Sequence, residues 1–239
     1  MNFVDKHKIA FAAIPKVACS SIKHLFFELE NGASFKSFRA NGKPYNIHHF
    51  YPSRYYQRSR FRKFENHFRF VILRDPVKRL LSCYSNRVLH YRNLAPWALT
   101  HEAIEAGATP DPDLSGFVER LELYREWSGH IRHHTDPAIG FTGPDLSCFD
   151  AVYPIERMDA CAARLSELCG RPIEIPNRQE GGPKFGIEDL SPAEHAKIVE
   201  FYRADYDLMA DYYTPPEYPA DTAASADQPL SDQHMRQET

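Results

Sequence analysis

Two short segments carry the residues best suited to hold an anion. The first reads Ile14-Pro15-Lys16-Val17-Ala18-Cys19-Ser20-Ser21 and lies between an apolar run and a helical pattern. A helix start presents unpaired backbone N–H groups and a positive dipole end, which together cradle phosphate or sulfate. Small side chains at Ala18, Ser20 and Ser21 let an anion reach the backbone. The two hydroxyls add donors, and Lys16 adds a charge beside the anion's bridging oxygen. No G-x-x-x-x-G-K-[ST] pattern is present, so this is not a Walker A loop. Taken alone, the segment reads equally well as a capped turn with an exposed lysine. The second segment, Leu73-Arg74-Asp75-Pro76, is followed by Ser82, eight residues after Arg74. An arginine fork and a serine hydroxyl can hold a terminal phosphate. A local Arg74–Asp75 ion pair and a surface serine are the plainer alternatives. A further cluster, His130, His133 and His134, has i, i+3, i+4 spacing; a zinc site there would need another ligand such as Asp136 or Cys148.

The elements around these segments are legible from periodicity. Residues 8–14 form a short apolar run that reads as a buried strand. Ser20 and Ser21 can cap a helix, Ile22, Leu25, Phe26 and Leu29 recur at helical spacing, and Asn31-Gly32 ends the pattern. Residues 33–66 are aromatic and basic and read as loops and short helices. Residues 68–73 form a second strand, and Pro76 suits the first turn of the helix that follows. Residues 97–107 and 113–127 read as helices separated by Thr109-Pro110-Asp111-Pro112. A third strand over 149–155 precedes a helix over about 158–169, and 173–175 reads as a short fourth strand. Residues 177–186 form a loop. Ser191-Pro192 opens a helix to about residue 212, with Glu194 at capping-box spacing. Strands alternating with helices predict an α/β fold with a central, mostly parallel sheet of about four to five strands, flanked by helices. Ligands bind such sheets beyond the carboxyl ends of the strands, so Lys16 and Arg74 are expected on one rim.

Size and composition fit this reading. The 239 residues suffice for one domain, placed at 1–213, with a polar tail expected to be disordered over 214–239. Five cysteines without a C-x-x-C pair argue for free thiols in a reducing cytoplasm. No apolar run approaches the roughly 20 residues of a membrane span, and the polar N-terminus does not read as a secretory signal. A soluble, cytoplasmic protein is the expectation. Charge is uneven: residues 36–92 hold 14 Lys and Arg against 2 Asp and Glu, and the remainder holds 15 against 30. Such a block suggests a polyanion site. Its aromatic-rich stretch over 54–69 could also stack on single-stranded nucleic acid, which makes a nucleic-acid-binding module the competing reading.

The first segment resembles the 5′-phosphosulfate-binding loop of sulfotransferases that use 3′-phosphoadenosine 5′-phosphosulfate (PAPS), P-K-[TV]-[GA]-[GCT]-[TS]-[ST]. The stretch Arg74-Asp75-Pro76-Val77-Lys78-Arg79-Leu80-Leu81-Ser82-Cys83-Tyr84 is similar to the 3′-phosphate segment of that family, R-D-P-x-x-R-x-x-S-x-Y. The similarity is greatest to the Golgi-type carbohydrate sulfotransferases and their bacterial relatives, the family-2-like group. Residues 149–156 resemble the family's aromatic-Asp-x-x-x-x-x-Glu strand, and 201–207 its Y-x-x-D-Y helix. The resemblance implies a P-loop NTPase-like three-layer sandwich. It implies PAPS as co-substrate, 3′,5′-adenosine bisphosphate (PAP) as product, no metal, and a carbohydrate hydroxyl as acceptor. A non-carbohydrate hydroxyl is the runner-up, and nucleic acid is not an expected partner. Lys16, Val17, Ala18, Cys19, Ser20 and Ser21 would then hold the 5′-phosphosulfate, with Lys16 stabilising the leaving phosphate. Arg74 and Ser82 would bind the 3′-phosphate, and the loop over 177–184 would lie near the nucleotide. Relatives place a histidine base between the two phosphate segments, which here offers His48 or His49, His48 being favoured with Tyr51 three residues on. The H-x-x-P-Q-like segment of relatives suggests that the His130, His133, His134 cluster faces the acceptor. Ala18 and Cys19 stand where many relatives have glycine, so a left-handed backbone at Ala18 would be strained.

Overall fold

A computed structural model describes residues 1–176 and 181–219. Asn2–Val4 forms β1 and Ile9–Ala12 forms β2, which is buried at all four positions. Unbroken apolar burial is what a strand covered on both faces requires. β1 runs antiparallel to β2 along one edge. The helix α1, Cys19–Asn31, buries Ile22, Leu25, Phe26 and Leu29, and Gly32 ends it at φ 68°, donating its N–H to the Glu28 carbonyl. The aromatic and basic region holds a hairpin, β3 (Phe38–Ala40) with β4 (Lys43–Tyr45), and two short helices, α2 (Ile47–Phe50) and α3 (Arg58–Arg62).

Phe68–Leu73 is β5 and pairs parallel with β2, Ile9 standing opposite Phe68. Asp75 then caps α4, Pro76–Cys83, by accepting the Lys78 N–H at 2.8 Å, and the helix continues as a π-helix over Tyr84–His90. Short helices follow: α5 (His101–Glu105), α6 (Leu114–Glu119), α7 (Leu121–Trp127), α8 (Gly129–Thr135) and α9 (Ile139–Thr142). The helices expected over 97–107 and 113–127 are therefore shorter, and the second breaks at Arg120. β6, Ala151–Pro154, pairs parallel with β5. Asp150 fixes that pairing: its carboxylate accepts the Arg69 N–H at 2.7 Å while its own N–H reaches the Arg69 carbonyl at 2.8 Å. The chain continues through α10 (Met158–Cys169), α11 (Pro192–Phe201) and α12 (Arg203–Leu208).

The sheet order β1-β2-β5-β6 gives three parallel strands with one antiparallel edge, flanked by helices. This is the α/β architecture the sequence predicts, with two corrections. Residues 173–175 are not a strand, because the Ile173 N–H is taken by Ser166 Oγ at 2.8 Å; the fourth strand is β1. The helix expected to residue 212 breaks at Tyr202, which is fully buried and donates its hydroxyl to the Thr135 carbonyl at 2.7 Å. Within 214–219, Tyr218 is tied to the body, its hydroxyl donating to the Leu190 carbonyl at 2.7 Å, while 214, 215, 217 and 219 are exposed. The rest of the expected tail, 220–239, lies outside the described residues. All five cysteines are free thiols.

After the break at Tyr202, Asp205 and Tyr206 point back at the second strand–helix unit. Asp205 accepts the backbone N–H groups of Ala138 and Ile139 at 2.7 and 3.0 Å and sits 3.7 Å from Arg79. Burial pushes its carboxyl upward, while the guanidinium and the two N–H donors pull the other way. Arg79, only 1% exposed, also donates to the Asp136 carbonyl at 2.7 Å and lies over the Tyr202 ring. The Tyr206 hydroxyl donates to Asp75 at 3.0 Å. The basic block is thus divided: Arg79 is a buried structural cation and no part of a surface stripe. Asp205→Ala leaves Arg79 buried without its carboxylate, so urea unfolding at neutral pH should show a loss of about 3–5 kcal/mol.

Candidate active site

The loop after β2 is shaped by two left-handed residues, Lys16 at φ 67° and Ala18 at φ 48°. Such turns gather successive N–H groups into an anion-binding concavity. Ala18 is the residue before α1 and makes no side-chain cap, so Cys19, Ser20 and Ser21 form the first turn with their N–H groups left over by helix geometry. The serines expected as caps are freed for other contacts: Ser20 Oγ lies 3.2 Å from His48 Nε2. Arg74, at the end of β5, donates to the Lys16 carbonyl at 3.2 Å and ties the two strand ends together.

These residues line one cavity of about 550 Å³. It brings together every predicted phosphate-binding residue from Lys16 to Ser21, together with Arg74 and Ser82. His48 lines it too, and His49 does not. His49 is exposed and its Nδ1 accepts the Asn46 backbone N–H at 3.1 Å, a helix-capping role. Tyr51 is buried elsewhere, its hydroxyl bonded to Glu30. The histidine cluster splits. His134 lines the cavity, His133 packs on Tyr55 and Phe141, and His130 is exposed. Of the loop expected near the nucleotide, 177–180 lie outside the described residues, while Gly181, Gly182, Pro183 and Lys184 form one wall. Gly182, at φ 94°, is pressed so close to Ser85 that a Cβ would stand 2.4 Å from its backbone carbonyl oxygen; only glycine fits.

Sequence reasoning missed Arg87 and Lys23. Arg87 faces the cavity from the π-helix; that local change of pitch, which no residue pattern signals, is common at functional sites. Lys23 is a charged residue on the buried stripe of α1, a mismatch of residue type and helical position that the sequence does display.

Electrostatically the cavity is cationic. Lys16, Arg74, Lys78, Arg87 and Lys184 face it against the single carboxylate of Glu156 among the described residues. Burial, with Arg87 and Arg74 nearby, pulls the Lys16 ammonium down to about 8. Burial, then Lys23 and Arg87, holds His48 down at about 3, and burial with Arg87 holds His134 at about 2. Both histidines are therefore neutral near pH 7. Among the described residues no cluster of three or more His, Cys, Asp or Glu could hold a metal ion.

A strand–loop–helix pair that sets two cationic, hydroxyl-bearing clusters on one sheet rim defines an α/β protein with a cavity complementary to anions. A family model described as the Sulfotransferase family matches residues 1–210, and the chain belongs to that family. It is 29% identical over 182 residues to carbohydrate sulfotransferase 14 of Mus musculus, covering 73% of this chain and 48% of that protein. It is 24% identical over 238 residues to carbohydrate sulfotransferase 9 of Homo sapiens, covering 88% and 52%. A 100-residue stretch is 34% identical to human carbohydrate sulfotransferase 10, covering 39% and 27%. The chain spans about half the length of the first two relatives. No solved structure matches it.

The strain expected at Ala18 is present, since a left-handed non-glycine residue costs roughly 1–2 kcal/mol. Ala18→Gly relieves it at some cost in unfolded-chain entropy. Thermal unfolding should show a gain of up to about 1 kcal/mol, or a rise of about 2–4 °C.

Proposed function

We propose that the chain transfers a sulfuryl group from PAPS to a hydroxyl of a carbohydrate acceptor. The observation that carries this reading is the single cavity that joins the Lys16 loop to Arg74 and Ser82. Two anion subsites on one rim suit a nucleotide phosphorylated at both its 3′ and 5′ ends better than one with a single phosphate chain. The size is also apt, since ligand clefts run from about 300 to 1,000 Å³. The donor set is arginine, lysine, hydroxyls and helix-start N–H groups, which is the chemistry phosphates require. The names of the related proteins support sulfuryl transfer to sugars.

PAPS brings the activated sulfuryl group. Arg74 and Ser82 hold the 3′-phosphate. The backbone from Val17 to Ser21 and the Ser20 and Ser21 hydroxyls hold the 5′ end. Lys16 neutralises the charge that grows on the departing phosphate oxygen. His48, neutral and facing the cavity beside Ser20, takes the acceptor's proton; His49 is turned to its capping role. Burial and then Lys23 and Arg87 hold His48 down, and phosphates lying beside Arg87 would offset its part, which strengthens the base.

The decisive experiment is mass spectrometry of transfer from PAPS to a panel of glycans and of non-sugar alcohols and phenols. Sulfated sugar is the expected product. Sulfation confined to the non-sugar compounds would move the acceptor class, and no product with no PAP binding would reject the reading. PAP at millimolar concentration should raise the unfolding temperature of the wild-type chain. Lys16→Ala should weaken that shift and abolish transfer while leaving the fold intact.

The titration of Lys16 gives a signed pH effect. Its ammonium is lowered to about 8, so it is charged below that pH and loses its charge above it. PAP affinity, measured by calorimetry, should hold up to pH about 8 and then fall, approaching about tenfold per pH unit. In Lys16→Arg the fall should vanish over the same range.

A further inference from the structure

Lys23 is the one charged side chain on the buried stripe of α1, and it is 0% exposed. Its Nζ lies 3.1 Å from His48 Nδ1 and 2.9 Å from Ser53 Oγ. Among the described residues no carboxylate stands within ion-pairing distance of it. The other ring nitrogen of His48, Nε2, is the one that meets Ser20 at 3.2 Å on the cavity side. The imidazole therefore bridges a buried amine and the cavity.

Proton accounting makes this bridge consequential. An ammonium has hydrogens to give and no lone pair. If Lys23 is charged, it donates to Nδ1, and the ring proton must sit on Nε2. Nε2–H then faces the cavity as a donor and cannot take a proton. A neutral amine can accept Nδ1–H and still donate to Ser53. Nε2 is then bare, facing the cavity as an acceptor. We propose that Lys23 sets the tautomer of His48, so that Nε2 is a base only while Lys23 is the uncharged amine, and that the proton removed from the acceptor ends on Lys23.

The role of this base rests on the sulfotransferase reading; the tautomer coupling does not. In the transfer step the acceptor oxygen bonds to sulfur and the bond from sulfur to the phosphate oxygen breaks. The acceptor's hydroxyl proton moves to Nε2, and the Nδ1 proton moves to Lys23 Nζ. The result is a neutral imidazole of the other tautomer and an ammonium at Lys23. The reverse shuttle through His48 to water in the emptied cavity restores the pair. Lys23 touches no substrate and acts as a positioning and relay residue.

The surroundings favour this division of labour. On α1, Cys19 and His24 flank Lys23; from the π-helix Arg87, and from α8 His133, add to the charges felt at His48. None of these groups is a carboxylate, so an imidazolium in this place is disfavoured. Burial also lowers the Lys23 ammonium, the Cys19 thiol opposing, so the neutral amine is reached below the usual lysine range. His134 is the rival base. Its Nδ1 donates to the His130 carbonyl at 2.8 Å, which leaves its Nε2 without a proton.

The test is a nitrogen-15 NMR titration of the histidine rings in the full 239-residue chain between about pH 6 and 10, His48 being assigned through His48→Gln. The wild type should pass from the Nε2–H to the Nδ1–H tautomer in one transition. Lys23→Arg, which cannot lose its charge, should stay Nε2–H throughout, and Lys23→Met should show no transition. A wild-type tautomer that never changes, or a transition that survives in Lys23→Met, overturns the proposal. The wild-type arm needs no substitution, so a variant that fails to fold leaves the test standing. With PAPS saturating, kcat should climb about tenfold per pH unit to that same transition and then level. Lys23→Arg should lose about 10²–10⁴-fold in kcat with PAP affinity unchanged. Transfer retained in His48→Gln and lost in His134→Gln would also refute it. A tautomer transition without any sulfuryl transfer would count against the enzyme reading alone.

Discussion

The structure depends on one buried guanidinium. Arg79 lies under the second strand–helix unit at 1% exposure, and a guanidinium keeps its charge in any protein interior. Its burial is tolerable only if other elements supply acceptors. The carbonyl of Asp136 comes from the turn between α8 and α9, Asp205 comes from α12, and the Tyr202 ring comes from the kink before it. Satisfying that one charge therefore fixes α8 against α4. It also sets His134, on α8, in the lining of the cavity that the Lys16 loop shares. The Y-x-x-D-Y pattern near the C-terminus makes no contact with the cavity. It holds the frame on which the cavity is built, and Tyr206 extends that frame to Asp75, the cap beside Arg74.

What the sequence made legible was local. The strand, turn and helix around Lys16 and around Arg74 are signalled by apolar runs, Pro76 and the Asn31-Gly32 stop, all of which act over a few residues. Their meeting on one rim followed from the general rule for parallel sheets. The misses share a cause, which is that tertiary demands overrode local propensity. β1 is three residues long and carries too little pattern to be seen; it exists because β2 offers it an edge. Ile173 looked like part of a strand until a helix side chain claimed its N–H. Tyr202 gives no sign of a helix break, since the break serves partners about 67 residues earlier in the chain. His48 and His49 are neighbours in sequence and could be told apart only by the capping bond that turns His49 away.

Burial first, and neighbouring charge second, explain the shifted titrations of Lys16, His48, Arg74 and His134 in the cavity. Burial lowers the Lys16 ammonium and the Arg74 guanidinium, and the neighbouring cations add to that: Arg87 and Arg74 act on Lys16, and Arg79 acts on Arg74. An anion entering that space would offset the charge that Arg87 and Arg74 impose on Lys16. Under the proposed function, donors and charges fixed in advance around an anion are a form of preorganisation. Wrong ligands without matching charge gain nothing from it.

Lys16 carries a further implication through its left-handed backbone, at φ 67°. A positive φ sends the side chain to the side opposite that of an ordinary residue, and here that side is the cavity. Glycine would adopt this turn freely but has no ammonium to offer; any other residue accepts the strain without the benefit. On the proposed function the position is therefore held between two incompatible optima, one for folding and one for turnover. Under the proposed transfer, a search for heat-tolerant variants that scored folding alone would be drawn to Lys16 as it would to Ala18, and at Lys16 would extinguish the chemistry while improving the scaffold.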